Sequence, residues 1–410
     1  MSDDLLHILV ANVFFAPWRY GGATIVAGEV AKSLVRRKRA RVTAFSAMSR
    51  TDLAPYAVFR TQSDGIDNFT VNLPHGRATR DLYDNPQVQA VFANLIETLK
   101  PDVAHFHSVQ ELGGGLIETA KAAGLPTVLS THDFWWMCER QFMIRPDQTY
   151  CTIDPVRVDG CAGCVVDLEA VRTRDKRLRS VIESADIVTF PSAFARDLAV
   201  RSGIPANAKR AAVWENGVTL PGSGFFEAQA ARRARDPRIS FGFVGGPSHM
   251  KGWPLIHKAF SHIDTDDLRG VLVDGSIDGS WWTDHFRRQV AQMRGDWEIV
   301  PRFEQDALDA FYAEIDVLLF MSQWKETYGL TVREAIARGI RVIQTDSGGT
   351  TEHPLVQPSH LIPIGAGPEL LMQEIQHVLD HLAKHPEPAT VISYDQQADN
   401  LMSFLEASRT

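Results

Sequence analysis

What most narrows the fold of this chain is an alternation of short apolar runs with helix-period segments, repeated in two series with a polar stretch between them. Residues 6–11 form the first run, and Gly21-Gly22 opens a loop that leads into a helical pattern. Further runs follow at 41–47, 103–107, 127–132, 186–191 and 210–215. Runs this short, separated by amphipathic segments, are what βαβ units need, because crossover helices cover both faces of a parallel sheet. A second series begins at 239–244, continues at 269–274, 297–301, 315–320 and 341–345, and ends near Ile362. The expected class is α/β: two doubly wound parallel-sheet domains facing a central cleft. The first spans 1–218, with a cysteine-rich insertion at about 134–170, and the second spans 239–385. Between them, 219–238 reads as a linker, since it holds Pro221-Gly-Ser-Gly and the charged run 232–237. The tail, 386–410, has a helical pattern (Ala398, Leu401, Met402, Leu405) and could pack back on the N-terminal domain.

With 410 residues, 44% of them hydrophobic, each half can bury a core of its own. A net charge of -8 gives no electrostatic footprint for nucleic acid. The first residues lack a basic segment followed by an apolar one, and no run reaches the ~18 apolar residues of a spanning helix. The expectation is a cytoplasmic protein. The only four cysteines, Cys138, Cys151, Cys161 and Cys164, fall in one 27-residue window. Cys161-x2-Cys164 with two more thiols nearby fits a tetrahedral structural zinc site, though the wide first spacing leaves reactive thiols and disulfides as alternatives. Four thiolates would leave no open position for catalysis, so no catalytic metal is expected.

The most pointed motif is Glu326-Thr-Tyr-Gly-Leu-Thr-Val-Arg-Glu334, two carboxylates with seven residues between them. A buried strand pattern at 315–322 precedes it, and helical spacing runs from Leu330 to Arg338. Glu326 therefore belongs to a loop, and Glu334 lies roughly 6 Å along the helix at ~1.5 Å rise per residue. The N–H groups of Gly329, Leu330 and Thr331 at the helix start favour an anion such as a diphosphate. Taken alone, the two acids would read as a solvated loop carboxylate and a helix-surface carboxylate. They do not stand alone: Phe241-Gly-Phe-Val-Gly-Gly246 with Lys251-Gly252, Asn216-Gly217-Val218, and Gly348-Gly349-x2-Glu352 occur in matching order.

On these motifs the chain resembles the family 4 glycosyltransferases, retaining nucleotide-sugar enzymes with the GT-B fold of two Rossmann-like domains. The resemblance implies roles. Lys251 would neutralise the donor diphosphate, Glu334 would accept hydrogen bonds from the ribose, and Glu326 would contact the transferred sugar. His132 would lie near the reacting end of that sugar. Gly21 and Gly22 would form a mobile loop over the diphosphate, and Gly245, Gly246, Tyr328, Gly329 and Leu330 would complete the donor site. His132, Glu326 and Lys251 are thus the catalytic candidates. Where the family commonly has an arginine, this chain has Gly246, so either the helix-end amides carry more of the diphosphate charge or another cation such as Arg302 or Lys325 moves in. The mechanism the family favours is front-face: a departing phosphate oxygen takes the acceptor proton, and no carboxylate acts as nucleophile. The implied partners are a UDP- or GDP-sugar donor and a saccharide or lipid-linked saccharide acceptor, in surface polysaccharide biosynthesis.

Other features remain open at this level. His105-x-His107 has both rings on one side of a strand, which suits cleft lining better than a metal site without a third ligand. Asp264-Thr-Asp266 reads as a solvated turn. Basic clusters at 36–41 and at Arg172, Arg174, Lys176, Arg177 and Arg179 could dock on anionic lipid at the inner membrane face, or be solvated helix faces. Trp135 and Trp136 could stack on an acceptor sugar or belong to the core. A nucleotide-sugar epimerase and a catalytically silent sugar-nucleotide-binding subunit are the competing functions.

Overall fold

The computed structural model describes residues 5–18, 21–205, 211–275, 281–382 and 385–407. They form two compact units. The first is built from the residues up to Phe142, Thr152–Gly217 and the segment from Ile392 onward; the second from Met143–Cys151 and Val218–Val391.

The first unit is organised on an eight-stranded sheet. Its strands are β1 (His7–Ala11), β2 (Arg41–Met48), β3 (Val58–Ser63), β4 (Ile66–Asn72), β5 (Val103–Phe106), β6 (Thr127–Ser130), β7 (Ile187–Phe190) and β8 (Ala211–Val213), in the order β3-β4-β2-β1-β5-β6-β7-β8. All neighbours are parallel except β3 and β4, which form a hairpin. β1 and β5 are buried along their whole length, as helices on both faces require. Apart from the β3–β4 hairpin, every strand falls on an expected run, with ends shifted by two residues or fewer; Arg210 of the last run lies outside the described residues.

The second unit carries five parallel strands: β9 (Ser240–Val244), β10 (Arg269–Asp274), β11 (Asp296–Pro301), β12 (Val317–Phe320) and β13 (Arg341–Gln344), in the order β11-β10-β9-β12-β13. Phe241, Phe243, Trp253, Phe260 and Phe286 fill one face of this sheet. Val271, Val273, Phe311, Tyr312 and Leu318 fill the other.

One expectation about connections changes. The stretch taken as a linker, 219–238, contains the helix Phe225–Arg235, with Phe225, Gln229 and Arg232 buried. Its arginines are not a solvated run: Arg232 and Arg233 lie 2.6 and 2.8 Å from Asp316, which also accepts from Ser240 N–H at 2.9 Å. The tail helix, Tyr394–Ala407, packs within the first unit against the helix Gly21–Arg36. Gln397, fully buried, accepts the Trp214 indole N–H on its carbonyl at 3.0 Å and Gly217 N–H on Oε1 at 2.7 Å. A Cβ on Gly217 would fall 2.5 Å from the Ser393 carbonyl carbon, which explains the glycine in Asn216-Gly217-Val218. No helix among the described residues is long and apolar enough to cross a membrane.

Candidate functional site

Parallel sheets bind ligands beyond the carboxyl ends of their strands, where strand order reverses. In the second unit that reversal lies between β9 and β12. The loop after β9 carries Gly245, Gly246 and Lys251, and the loop after β12 carries Ser322 to Gly329. Across the reversal, Lys251 Nζ lies 2.7 Å from Glu326 Oε1, and Ser322 Oγ donates to the same oxygen at 2.8 Å. Lys251 keeps 35% of its side chain exposed while Glu326 keeps 11%, so the ammonium is the accessible end of the pair. Its Nζ also stands 5.9 and 5.6 Å from the rings of Phe320 and Trp324. Gly252 cannot be replaced freely: its φ is 82° and a Cβ would come within 2.1 Å of the Met321 carbonyl oxygen.

The backbone of Glu326 pairs with the loop after β13. Its N–H donates to Ser347 O and its carbonyl accepts from Gly349 N–H, both at 2.9 Å. Arg333, which sequence reasoning passed over, fixes that loop by donating to Thr350 O (2.6 Å), Gly349 O (3.0 Å) and Glu352 O (2.7 Å). The Arg333 guanidinium lies 4.5 Å from the Tyr328 ring centroid, and Tyr328 is buried, so Tyr328 supports this loop from below. Gly329 caps the helix Leu330–Ile336. Glu334, in that helix, is not a surface residue; it is 3% exposed and its Oε2 accepts from Tyr312 OH at 3.0 Å. Burial pushes the Glu334 carboxyl up, and the Tyr312 hydrogen bond and the nearby Arg338 charge hold it back. Arg338 itself is buried against Asp309 (2.6 Å) and the Tyr312 ring (5.0 Å).

The two substitute cations differ. Lys325 is held by Asp346, 3.0 Å from its Oδ2 and 2.6 Å from its carbonyl. Arg302 is exposed beyond β11, two strand positions from β9 or roughly 10 Å at ~4.8 Å per strand.

In the first unit the strand order reverses between β1 and β5. Asn12, fully buried and missed from sequence, joins the two ends by accepting Ser108 N–H at 3.0 Å and donating to Phe14 O at 2.7 Å. Gly21 and Gly22 are the first turn of the helix Gly21–Arg36, not the expected mobile loop. His105, His107 and His132 come together: the rings of His105 and His107 are 4.1 Å apart, and those of His107 and His132 lie edge to edge, 5.1 Å apart and 13° from parallel, with His107 Nδ1 2.8 Å from His132 Nε2. Burial pushes His105 down to about 3 and His132 to about 4, and His107 well below its ordinary value. At neutral pH all three are uncharged. Asp133 accepts Trp135 N–H at 2.9 Å and the Gln141 amide at 2.6 Å, while burial raises its carboxyl.

Several expectations in this unit are corrected. Trp135 and Trp136 are buried core residues, with the Arg174 guanidinium 4.9 Å from the Trp135 ring and donating to its carbonyl, so they form no stacking platform. Most arginines of the basic clusters are ion-paired within the unit. Arg36 pairs with Asp395, Arg37 and Arg39 with Asp399, Arg172 with Asp159 and Glu169, Arg177 with Asp84 and Glu118, and Arg179 with Asp175. The four cysteines are half-buried, and among the described residues no group of three or more His, Cys, Asp or Glu is gathered to hold a metal ion. Cys161 and Cys164 lie at and just after the short helix Val158–Cys161, with Cys164 N–H donating to Cys161 O at 2.9 Å, and Cys138 N–H donates to Phe134 O at 2.8 Å. In the second unit, Asp266 is a turn residue that accepts from Gly295 N–H and Arg294, both at 3.3 Å.

Residues 20–220 match the family model Glycosyltransferase Family 4, and residues 225–353 match Glycosyl transferases group 1. Over 325 residues, 75% of this chain and 74% of the relative, the chain is 25% identical to a GDP-mannose-dependent alpha-mannosyltransferase of Mycobacterium tuberculosis. It is 20% identical to an uncharacterized protein in the cps region of Klebsiella pneumoniae, over 86% of this chain and 89% of that one. Among solved structures, HepE of Anabaena in complex with UDP-glucose superposes with a TM-score of 0.65 at 15% identity, covering 98% of this chain and 100% of that one. Sucrose-phosphate synthase from Thermosynechococcus elongatus gives 0.64 at 17% identity, covering 98% and 94%.

Proposed function

The chain belongs to glycosyltransferase family 4 and has the GT-B fold, and from that membership we propose that it is a retaining hexosyltransferase that moves a sugar from a UDP- or GDP-linked donor to a saccharide or lipid-linked saccharide. The observation that carries this reading is the Lys251–Glu326 pair, 2.7 Å apart at the reversal of strand order. A cation whose exposed end points out of such a position suits an incoming diphosphate. Binding draws the ammonium towards the phosphates and releases Glu326 Oε1 for a sugar hydroxyl. When the anomeric bond breaks, Lys251 stabilises the charge that gathers on the departing oxygens. Glu334, its Oε2 already held by Tyr312, offers Oε1 to the ribose. On the acceptor side, His132 is uncharged at neutral pH and hydrogen-bonds a sugar hydroxyl near the reacting carbon. The acceptor proton passes to a departing phosphate oxygen on the same face, so configuration is retained without a protein nucleophile. The relatives' printed names support the two donor bases, UDP and GDP, and the cps-region relative supports a role in surface polysaccharide.

The test is nucleotide release from UDP-, GDP-, dTDP- and ADP-sugars with and without saccharide acceptors. The expected result is acceptor-dependent turnover with one donor base, lowered at least ~100-fold in kcat by Lys251→Ala and also lowered by Glu326→Gln. Acceptor-independent alteration of the donor sugar would make the protein an epimerase, and tight binding without turnover a silent subunit.

A further inference from the structure

β13 is an edge strand of the second sheet, and beside it lies a cavity of about 170 Å³ lined by none of the donor-site residues described above. Its rim reaches the surface at Leu355 and Gln357, both exposed. Gln344, the last residue of β13, is 4% exposed, and its Nε2 lies 2.9 Å from His353 Nε2. The far side of each group is unanswered: Gln344 Oε1 and His353 Nδ1 are both shut off from solvent and have no hydrogen bond. Folded proteins leave few buried polar atoms in that state, so the two call for a partner. Burial pushes His353 down to about 4, so at neutral pH its ring has one N–H and one bare nitrogen. If Gln344 donates to it, the His353 proton sits on Nδ1, and the orphans are that N–H and the Gln344 carbonyl oxygen. If the amide is turned over and accepts, the orphans are a bare Nδ1 and an amide N–H. Both arrangements leave a donor and an acceptor, which is the complement of a hydroxyl group. The terminal torsions of both side chains are soft, so these edges can turn into the cavity they line. One water would answer the pair, but the cavity has room for about five at ~30 Å³ each. Arg341, at the start of β13, lines the same cavity, and among the described residues its guanidinium has no hydrogen bond or ion pair. A hydroxyl complement beside an uncommitted cation suits an anion carried on a polyol. Gln344 and His353 also bracket the loop after β13, in which Ser347 O accepts Glu326 N–H and Gly349 N–H donates to Glu326 O.

We propose that this cavity is an effector site for a sugar carrying a phosphate or a carboxylate, with a hydroxyl bridging Gln344 and His353 and the anion on Arg341. A ligand joining the two ends of the loop steadies the backbone that holds Glu326. That consequence rests on the function proposed above; the site itself does not. The test is titration of the full chain, labelled with 15N-histidine, with glucose 6-phosphate, glucuronate, glucose and inorganic phosphate, each with and without millimolar UDP or GDP to fill the donor site. At least one of the two sugar anions is expected to bind about tenfold more tightly than glucose or phosphate, with or without nucleotide, and to shift the ring nitrogens of His353. Arg341→Gln should bring that affinity down to the level of glucose, and Lys251→Ala should leave it unchanged. A wild-type chain in which neither sugar anion moves the His353 signals overturns the proposal without any variant having to fold. So does phosphate that binds as tightly as glucose 6-phosphate, or binding that is lost in Lys251→Ala and kept in Arg341→Gln, which belongs to the donor site. In turnover, the bound sugar anion is expected to change kcat or the donor KM at least about twofold in wild type and not in Arg341→Gln. Unchanged turnover overturns the effector role. If the sugar anion binds as stated but no sugar nucleotide is turned over, the functional reading fails and the site stands.

Discussion

Glu334 is a carboxylate almost without access to water, and its charge depends on a phenol and a guanidinium contributed from outside its own helical turn. Tyr312→Phe removes the 3.0 Å donor to Oε2. The expected loss of stability is ~1–3 kcal/mol, because a buried oxygen is left unsatisfied. The pH dependence has a definite sign. A carboxyl whose folded pKa is raised opposes folding as pH climbs past its unfolded value of 4.5. Losing Tyr312 raises it further, so the deficit in urea unfolding should be larger at pH 8 than at pH 5. The two glutamates could be read from sequence because strand, loop and helix are local. Tyr312 could not, being 22 positions upstream with no motif around it. Lys251 and Glu326 were each assigned a ligand, but their mutual contact spans 75 positions and belongs to the order of strands, which no local pattern encodes. Trp135 and Trp136 show the reverse limit: an aromatic pair after His132-Asp133 looks the same in sequence whether it faces a sugar or the core, and only burial decides.

Among the elements, periodicity located the buried strands because a strand covered on both faces must be apolar along its length. It missed β3 and β4, where exposed and half-buried positions alternate along β3 and polar residues such as Arg60, Gln62, Asp67 and Asn68 recur. The usable signal was Asp64-Gly65, both at positive φ, a two-residue loop of the kind that joins hairpin strands. The helix Phe225–Arg235 was hidden by its arginines, whose buried partner Asp316 lies far along the chain. The tail helix was legible in its apolar spacing, whereas the part played by Gln397 was not, since an amide between apolar positions carries no sign of what it caps. Gln397→Ala should destabilise the first unit by ~1–3 kcal/mol, because Gly217 N–H loses its acceptor. Chemical unfolding followed by far-ultraviolet circular dichroism and tryptophan fluorescence would register it, and an unchanged midpoint would contradict that role.

Over the whole molecule, uncharged histidines set an acid limit to stability. His105 and His132 in the first unit are pushed from 6.5 to about 3 and about 4, and His353 in the second to about 4, chiefly by burial. In each case the unfolded chain binds protons that the folded chain refuses, so stability falls as pH drops below 6.5 and continues to fall until the folded pKa is reached. For the two histidines of the first unit, whose unfolded forms go from half protonated to about nine-tenths protonated over the interval, the loss between pH 6.5 and 5.5 is roughly 2 kcal/mol. Unfolding free energies measured at pH 8, 6.5 and 5.5 should be nearly level over the first interval, as far as these groups decide, and drop over the second. The division into two α/β halves was legible because each series of runs is complete, but the return of the tail to the first half was not fixed by any feature of the tail itself. That return has a consequence for biosynthesis. Gln397 leaves the ribosome only after every residue of the second unit, so the indole of Trp214 and the amide of Gly217 wait for their acceptors while that unit is translated and can already collapse around its own sheet.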